Sequence, residues 1–334
     1  MNQDLTYWLA LANLPKWGPK KTISLIIQFY HEKKLTIDEF FQLPEDAWRN
    51  EFGLDSQAIE DLKNAQTELP NQAFLAESLL NEGYEVIPVT SPEYPVTLKE
   101  NLKSQAPVII YVKGNKQIMK EQSIAIVGSR SASDLSLTFT DNIAKLASQQ
   151  YKVVVSGFAK GVDKQALDSA LKYKGQSIIV LPQGIMTFGT GFKTYYRQIV
   201  DGDLLVFSTF HPKAPWKVEL AMARNPIIYG LAREIYVAES NEKGGTWYGV
   251  VDGLKKGRKI YVRKPDENEK NANEKLIGMG AIPVDFTGKA LESYLPQSSQ
   301  TTLSLVNEPL VKQLGKRSRP KSNQEPKQKG LFDD

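Results

Sequence analysis

The chain has 334 residues, of which 41% are hydrophobic, so it is long enough for two domains and at least one substantial core. It contains no cysteine, which excludes disulfides, Cys-ligated zinc, iron–sulfur clusters and thiol chemistry in this chain. The segment from Lys312 to Asp334 holds seven basic and three acidic residues, an excess equal to the whole net charge of +4. Anion binding elsewhere therefore requires local placement of cations and backbone amides.

Residues 1–80 carry apolar side chains at helical spacing and predict a small helical domain of the SAM or helix-hairpin-helix kind. Residues 14–21 resemble a helix-hairpin-helix turn, whose amides and lysines can bind a DNA phosphate. Lys16 stands where that pattern has its first glycine. The alternative interpretation is that these residues form only a loop that joins two packed helices. Because residues 1–20 lack a signal pattern and no apolar run is long enough to span a bilayer, we expect a cytoplasmic chain with no membrane association.

After Gly83 the pattern changes from helices to strands. Short β-branched runs then alternate with helical stretches, which favours a doubly wound, mostly parallel sheet. The fold class predicted for residues 81–295 is therefore α/β and extended Rossmann-like. The tail, 296–334, is basic and rich in Gln, Ser and Pro, and is predicted to be disordered. The predicted strands are residues 84–89, 108–112, 124–127, 152–155, 177–181, 204–207, 234–237 and 259–262.

Two small, hydroxylated loops follow neighbouring strands, at residues 127–133 and 155–163. Helix N-termini at the carboxyl edge of a parallel sheet favour anions, and glycine permits close approach of a phosphate. We therefore predict a phosphate site in the crevice between these loops. The alternative is that both loops are only tight turns between strand and helix, in which Ser133 caps a helix and Arg130 faces solvent. The candidate residues are Gly128, Ser129, Arg130, Ser156, Gly157, Lys160 and Gly161.

These two loops, followed by segments at residues 224–231, 237–239 and 244–246, resemble the DprA/Smf family of DNA-processing proteins over about residues 80–285. The resemblance implies single-stranded DNA binding without enzymatic activity or a cofactor, together with homodimerisation. It also implies a role in DNA uptake or recombination through loading of RecA. Arg224 and Asn225 are then expected near the DNA pocket. Phe158 is expected either to stack on a base or to pack in the core behind the loop.

The chain departs from the family pattern at three positions. Leu167 stands where the family usually has His, Pro226 stands where it has a second Arg, and Thr209 stands where Glu is common. No winged-helix domain is expected after residue 290. Two alternatives to a role in DNA uptake or recombination stay open. One is a sensor of foreign DNA in phage defence. The other is a nucleotide-processing enzyme of the lysine-decarboxylase-like Rossmann family, in which Gly249 would occupy the position of the catalytic acid.

Neither a metal-binding cluster nor a Ser-His-Asp catalytic triad is expected, because the only two histidines, His31 and His211, lie on different segments. The C-terminal residues Gln328, Leu331 and Phe332 match the short peptide pattern that docks into the bacterial sliding clamp. Clamp binding is one interpretation of this pattern. With three specified positions, the pattern also arises by chance.

Overall fold

A computed structural model describes residues 3–291. The tail and its clamp-like residues lie outside the described part. The part of the chain from Gln3 to Asn81 is helical as predicted, and α6 ends just before the first strand, close to the predicted boundary at residue 80. An independently folding helical domain remains a prediction. The helices are α1 (Gln3–Ala12), α2 (Pro19–Ile26), a π-helical turn (Ile27–Glu32), α3 (Ile37–Gln42), α4 (Glu45–Phe52), α5 (Ser56–Thr67) and α6 (Leu69–Asn81).

Aromatic packing holds the helical part together. Phe40 stacks on Phe29 with ring centroids 4.6 Å apart, and the indole of Trp48 donates to the carbonyl oxygen of Phe40 at 3.0 Å. Local signals fix the helix ends: α3 begins with a capping box, and Asp55 caps α5 by accepting from the Ala58 amide at 2.7 Å.

The turn between α1 and α2 is anchored to α5. The indole of Trp17 donates to Asp61 at 2.9 Å, and the ammonium of Lys21 lies 3.7 Å from the centre of the same indole. Lys16 adopts a φ of +63°, the left-handed conformation that glycine adopts without strain. At this one position the backbone conformation is therefore one that suits the glycine of the helix-hairpin-helix pattern.

The rest of the described chain forms one nine-stranded sheet with the order β1-β2-β6-β5-β4-β3-β7-β8-β9. The first two strands are antiparallel to their neighbours, and all other pairs are parallel. The strands are β1 (Glu85–Pro88), β2 (Ile109–Lys113), β3 (Ser123–Val127), β4 (Val153–Ser156), β5 (Ser177–Val180), β6 (Leu204–Ser208), β7 (Glu234–Val237), β8 (Ile260–Arg263) and β9 (Ile282–Val284).

Helices connect the strands and give the alternation seen in the sequence. Within residues 3–291 no helix is long and apolar enough to cross a bilayer. The helices of this part are α7 (Val96–Leu102), α8 (Asp134–Gln149), α9 (Val162–Lys172), α10 (Gly189–Thr194), α11 (Tyr196–Val200), α12 (Val218–Leu231), α13 (Gly245–Lys255) and α14 (Asn273–Gly278). Single 3-10 turns lie at Lys103–Gln105, Lys116–Lys120 and Ile185–Thr187.

The predicted doubly wound, mostly parallel fold after a helical region is confirmed. Each of the eight predicted strands has an observed counterpart, and the parallel strands are buried on both faces. The ninth strand, β9, was not predicted, because it has only three residues with Pro283 at its centre. Proline is tolerated there because β9 is an edge strand.

The order of the strands reverses at β3, which lies between β4 and β7. The loops that leave these three strands begin at the same edge, because all three run in parallel. In open α/β sheets, the crevice at such a reversal is where ligands bind.

Candidate phosphate-binding crevice

Three loops, rather than the predicted two, meet at the carboxyl edge of β3, β4 and β7. The amide of Ser129 donates to the carbonyl oxygen of Glu239 at 2.9 Å, and the amide of Val162 donates to the carbonyl oxygen of Ser129 at 3.2 Å. The hydroxyl of Thr246, at the start of α13, donates to the carbonyl oxygen of Gly128 at 3.1 Å. These bonds join the loops into one wall.

Glycine allows the first two loops to touch. A Cβ on Gly161 would lie 2.4 Å from the carbonyl oxygen of Ser129, and the residue has a φ of +80°. A Cβ on Gly128 would lie 2.6 Å from a methyl group of Val162. Both glycines are therefore required by the packing of the loops, whether or not a phosphate binds there.

Two adjoining cavities open from this wall, and Arg130 lines both. The larger, of about 530 Å³, also contains Lys160, Phe158 and Trp216 in its lining. The smaller, of about 350 Å³, is lined by the loops after β3 and β7, including Ser129, Ser131, Lys243, Gly244, Gly245 and Thr246. The side chains of Arg130 and Lys160 are exposed. The structure thus brings the two predicted surface cations to one cavity.

The N-terminus of α13 adds to the positive character of the crevice. α13 begins after Gly244, which has no side chain that could cap the first amides, whereas at α9 the amides of Val162 and Lys164 already donate to the carbonyl oxygens of Ser129 and Ala159. Uncapped N-terminal amides and the helix dipole attract anions. Gly244 and the N-terminus of α13 are part of the smaller cavity.

Arg224 lies beneath the second loop rather than at its surface. Its side chain is buried, and one guanidinium nitrogen donates to the carbonyl oxygen of Val180 at 2.8 Å. The other terminal nitrogen is 4.0 Å from the carboxylate of Asp163. Burial raises the pKa of Asp163, and the charge of Arg224 opposes that shift. Nε of Arg224 has no hydrogen-bond partner among residues 3–291, and the residue contributes to the lining of both cavities.

Ser156 does not take the position expected for a phosphate donor. It is buried at the end of β4, and its hydroxyl donates across the sheet to the carbonyl oxygen of Ile126 at 2.9 Å. Its single proton is used inside the sheet. Ser129 differs, because its hydroxyl oxygen accepts from the Ser131 amide at 3.1 Å and retains its own proton for donation into the smaller cavity.

Phe158 packs against aromatic neighbours behind the loop and also lines the larger cavity. Its ring packs edge to face against Phe188 and Tyr195, with centroids 5.1 and 5.8 Å away, and it is half-buried while lining the larger cavity. Its φ of +61° is strained for a non-glycine residue. Such strain persists where surrounding contacts hold a residue in place, and it is frequent at functional sites.

Glu239, at the end of β7, holds the first loop and was not among the predicted site residues. Its buried carboxylate accepts from the Ser133 amide at 3.0 Å and from the hydroxyls of Ser133 and Ser136, both at 2.8 Å. Ser133 also caps α8, as its sequence position suggested. The signal for Glu239 was its place two residues after the end of β7, the strand beside β3.

Asn225 is half-buried and lies against the start of α13, where a Cβ on Gly245 would be 2.3 Å from its Nδ2. It lines the smaller cavity, as does Met222, one helical turn earlier. The predicted pair of residues in α12 is therefore divided: Arg224 faces inward, and Asn225 faces the crevice.

The position that an enzyme of the lysine-decarboxylase-like kind uses for its acid is blocked. A Cβ on Gly249 would lie 2.7 to 2.8 Å from atoms of the buried Tyr229 ring, including its hydroxyl oxygen. A glutamate at this place requires displacement of Tyr229. The position therefore differs from the one that the lysine-decarboxylase-like alternative requires.

A doubly wound sheet with a glycine-walled, cationic crevice at its topological reversal defines a Rossmann-like protein with a candidate phosphate site. A family model described as DNA recombination-mediator protein A matches residues 85–294. The chain belongs to this family.

The relatives are bacterial. The chain is 32% identical over 170 residues to DNA processing protein DprA of Streptococcus pneumoniae, covering 51% of this chain and 59% of that protein. With DprA of Bacillus subtilis the identity is 27% over 183 residues, covering 54% and 61%. The match thus spans about three fifths of these two relatives. Protein Smf of Synechocystis is 25% identical over 340 residues, covering 91% of this chain and 81% of that protein.

Two solved structures share the fold. DprA of Streptococcus pneumoniae has a TM-score of 0.65 at 23% identity, covering 85% of this chain and 95% of that chain. DNA processing protein A of Helicobacter pylori, described for its single-stranded DNA binding mode, has a TM-score of 0.51 at 21% identity, covering 60% and 90%.

Proposed function

We propose that this chain binds single-stranded DNA at the crevice formed by the loops after β3, β4 and β7. The observation that carries the proposal is the meeting of Arg130 and Lys160 at one cavity, next to a second cavity that contains Arg130 and the uncapped N-terminus of α13. Charge neutralisation by cations and donation by backbone amides suit a sugar-phosphate chain. The description of the Helicobacter pylori structure supports the choice of single-stranded DNA.

The test is a salt titration of oligonucleotide binding with the full chain and three variants. We expect single strands to be preferred over matched duplexes, and binding to weaken as salt rises. Arg130→Ala and Lys160→Ala each remove a phosphate contact, so each is expected to reduce the log–log salt slope by roughly 0.7 to 1.

Lys120→Ala is the matched control, because Lys120 is an exposed lysine at the end of the 3-10 turn before β3, at the opposite edge of the sheet. It is expected to bind like the unmodified chain. Absence of binding by the unmodified chain near physiological salt would overturn the proposal, as would equal effects of all three substitutions.

The wider role that we propose is in DNA recombination, supported by the family description and by the names of the relatives. Homodimerisation, loading of RecA during DNA uptake and cytoplasmic location rest on the family resemblance. Mass measurement in solution tests the dimer, and RecA filament formation on protein-coated single strands tests loading. Binding of a C-terminal peptide containing Gln328, Leu331 and Phe332 to purified sliding clamp tests the tail.

A further inference from the structure

α12 forms a continuous wall along the crevice. Val218, Met222 and Asn225 follow each other at intervals of four and three residues, Ala221 stands three residues after Val218, and all four line the cavity of about 350 Å³. Residues at this spacing share one face of a helix. Together with Tyr229, which lines the same cavity, this face extends over about 16 Å at ~1.5 Å per residue.

The two cavities already described continue into a third. A cavity of about 150 Å³ shares Met222, Asn225 and Gly245 with the cavity of about 350 Å³. The cavity of about 350 Å³ in turn shares Arg130 and Arg224 with the cavity of about 530 Å³. The three are consecutive parts of one surface feature, which we call the α12 groove.

An exposed aromatic residue lies at each end of the α12 groove. Trp216, just before α12, is 51% exposed and lines the cavity of about 530 Å³ with Arg130 and Lys160. Tyr248, in the first turn of α13, is 59% exposed and lines the smallest cavity. Arg130 and the N-terminus of α13 lie in the part between them. Aromatic side chains beside a cationic groove are the platforms on which single-strand-binding proteins stack bases.

We propose that the α12 groove holds a continuous single strand of several nucleotides, with one base stacked on Trp216, another on Tyr248, and the intervening phosphates at Arg130 and the N-terminus of α13. This inference rests on the proposed function and adds the path of the strand. Pockets for drug-sized or cofactor ligands typically measure about 300–1,000 Å³, so one nucleotide fills a single cavity and leaves the other aromatic uncovered. A duplex keeps its bases stacked on each other and cannot use either platform.

The experiment measures binding of an oligothymidine of about 15 nucleotides, within the range of site sizes of single-strand-binding folds. We expect Trp216→Ala and Tyr248→Ala each to weaken binding by about 5- to 100-fold, with an unchanged salt slope, because stacking involves no counterion release. Trp216→Phe retains a ring and is expected to bind within a few-fold of the unmodified chain. Photo-crosslinking with 5-iodouracil is expected to label Trp216 and Tyr248.

Tyr151→Ala is the control, because Tyr151 is 90% exposed but precedes β4 at the opposite edge of the sheet. If the unmodified chain binds no single strand, the proposed function fails and the path fails with it. If the unmodified chain binds and Arg130→Ala weakens it, but Trp216→Ala and Tyr248→Ala bind normally and the crosslinks lie elsewhere, the path alone is overturned.

Discussion

The guanidinium of Arg224 lies directly against Gly157, so that a Cβ on the glycine would be 1.8 Å from a guanidinium nitrogen. The carboxylate of Asp163 would be 2.5 Å from the same Cβ. The loop after β4 therefore rests on a buried charged pair and has no room for a side chain. The shape of the candidate phosphate site depends on this contact between residues 67 positions apart in the sequence.

Gly157→Ala is expected to lower the free energy of unfolding by about 1–3 kcal/mol, because a methyl group must displace Arg224 or the loop. The affinity of Gly157→Ala for single-stranded DNA should also fall, because the substitution moves the loop that carries Lys160. Denaturant unfolding and oligonucleotide titration measure the two effects. Gly189→Ala is the control, because no atom lies within 4 Å of a Cβ there. Equal stability of the two variants would contradict the close contact.

Glu239→Ala is expected to destabilise the chain by about 1–3 kcal/mol, because the Ser133 amide and the Ser136 hydroxyl lose their common acceptor. Glu239→Gln retains an acceptor oxygen and should be milder. Glu242→Ala, which removes an exposed partner of Lys275, is expected to change stability little. A loss for Glu242→Ala as large as that for Glu239→Ala, measured by thermal unfolding, would argue against this role.

Lys16→Gly is expected to stabilise the chain by up to about 1 kcal/mol, because glycine adopts the observed φ of +63° without the steric cost that lysine has. The greater freedom of glycine in the unfolded chain reduces the gain. Lys20→Gly, inside α2, should instead destabilise by roughly 1 kcal/mol. Denaturant unfolding of both variants tests whether Lys16 has a strained left-handed conformation. Changes of stability in the same direction for both substitutions would contradict that strain.

The stability of the chain should depend on pH through Asp163. Burial raises the pKa of its carboxyl above the ordinary value of 3.8, against the opposing effect of Arg224. Between the ordinary and the raised pKa, the folded chain binds more protons than the unfolded chain, so this group's contribution to stability falls as pH rises.

Asp163→Asn removes that dependence. The stability of the unmodified chain relative to Asp163→Asn should therefore decrease as the pH rises above the ordinary pKa of 3.8, and level off once the pH exceeds the raised pKa of Asp163. Denaturant unfolding of both proteins over this range measures the difference. A relative stability that instead increases with pH would mean that Arg224 dominates over burial and lowers the pKa of Asp163.

Much of the architecture was predictable from short-range patterns. The runs at residues 124–127 and 204–207 are apolar and bounded by turn residues, and both are strands. Asp55 caps α5, and Ser133 caps α8, because a capping side chain acts on an amide three residues away. Such signals act within a few residues, so no knowledge of the packing is needed to recognise them.

The direction of particular side chains was less accessible. Ser156 was expected at the phosphate site but bonds to Ile126 within the sheet. Strands buried on both faces lack the alternation of polar and apolar residues that shows which way a side chain points. Arg224 and Asn225 are neighbours in a helix whose inward and outward faces become defined only when the helix packs against the sheet.

The sequence by itself determined the type of sheet, the helical region before it and the two glycine-containing loops, because hydrophobic runs and turn residues act over a few positions. Only the tertiary structure decided that the loop after β7 completes the crevice, that Arg224 supports Gly157, and that Trp216 and Tyr248 lie at opposite ends of one groove. These relationships join residues far apart in the chain, and the strand order and the packing of α12 fix them.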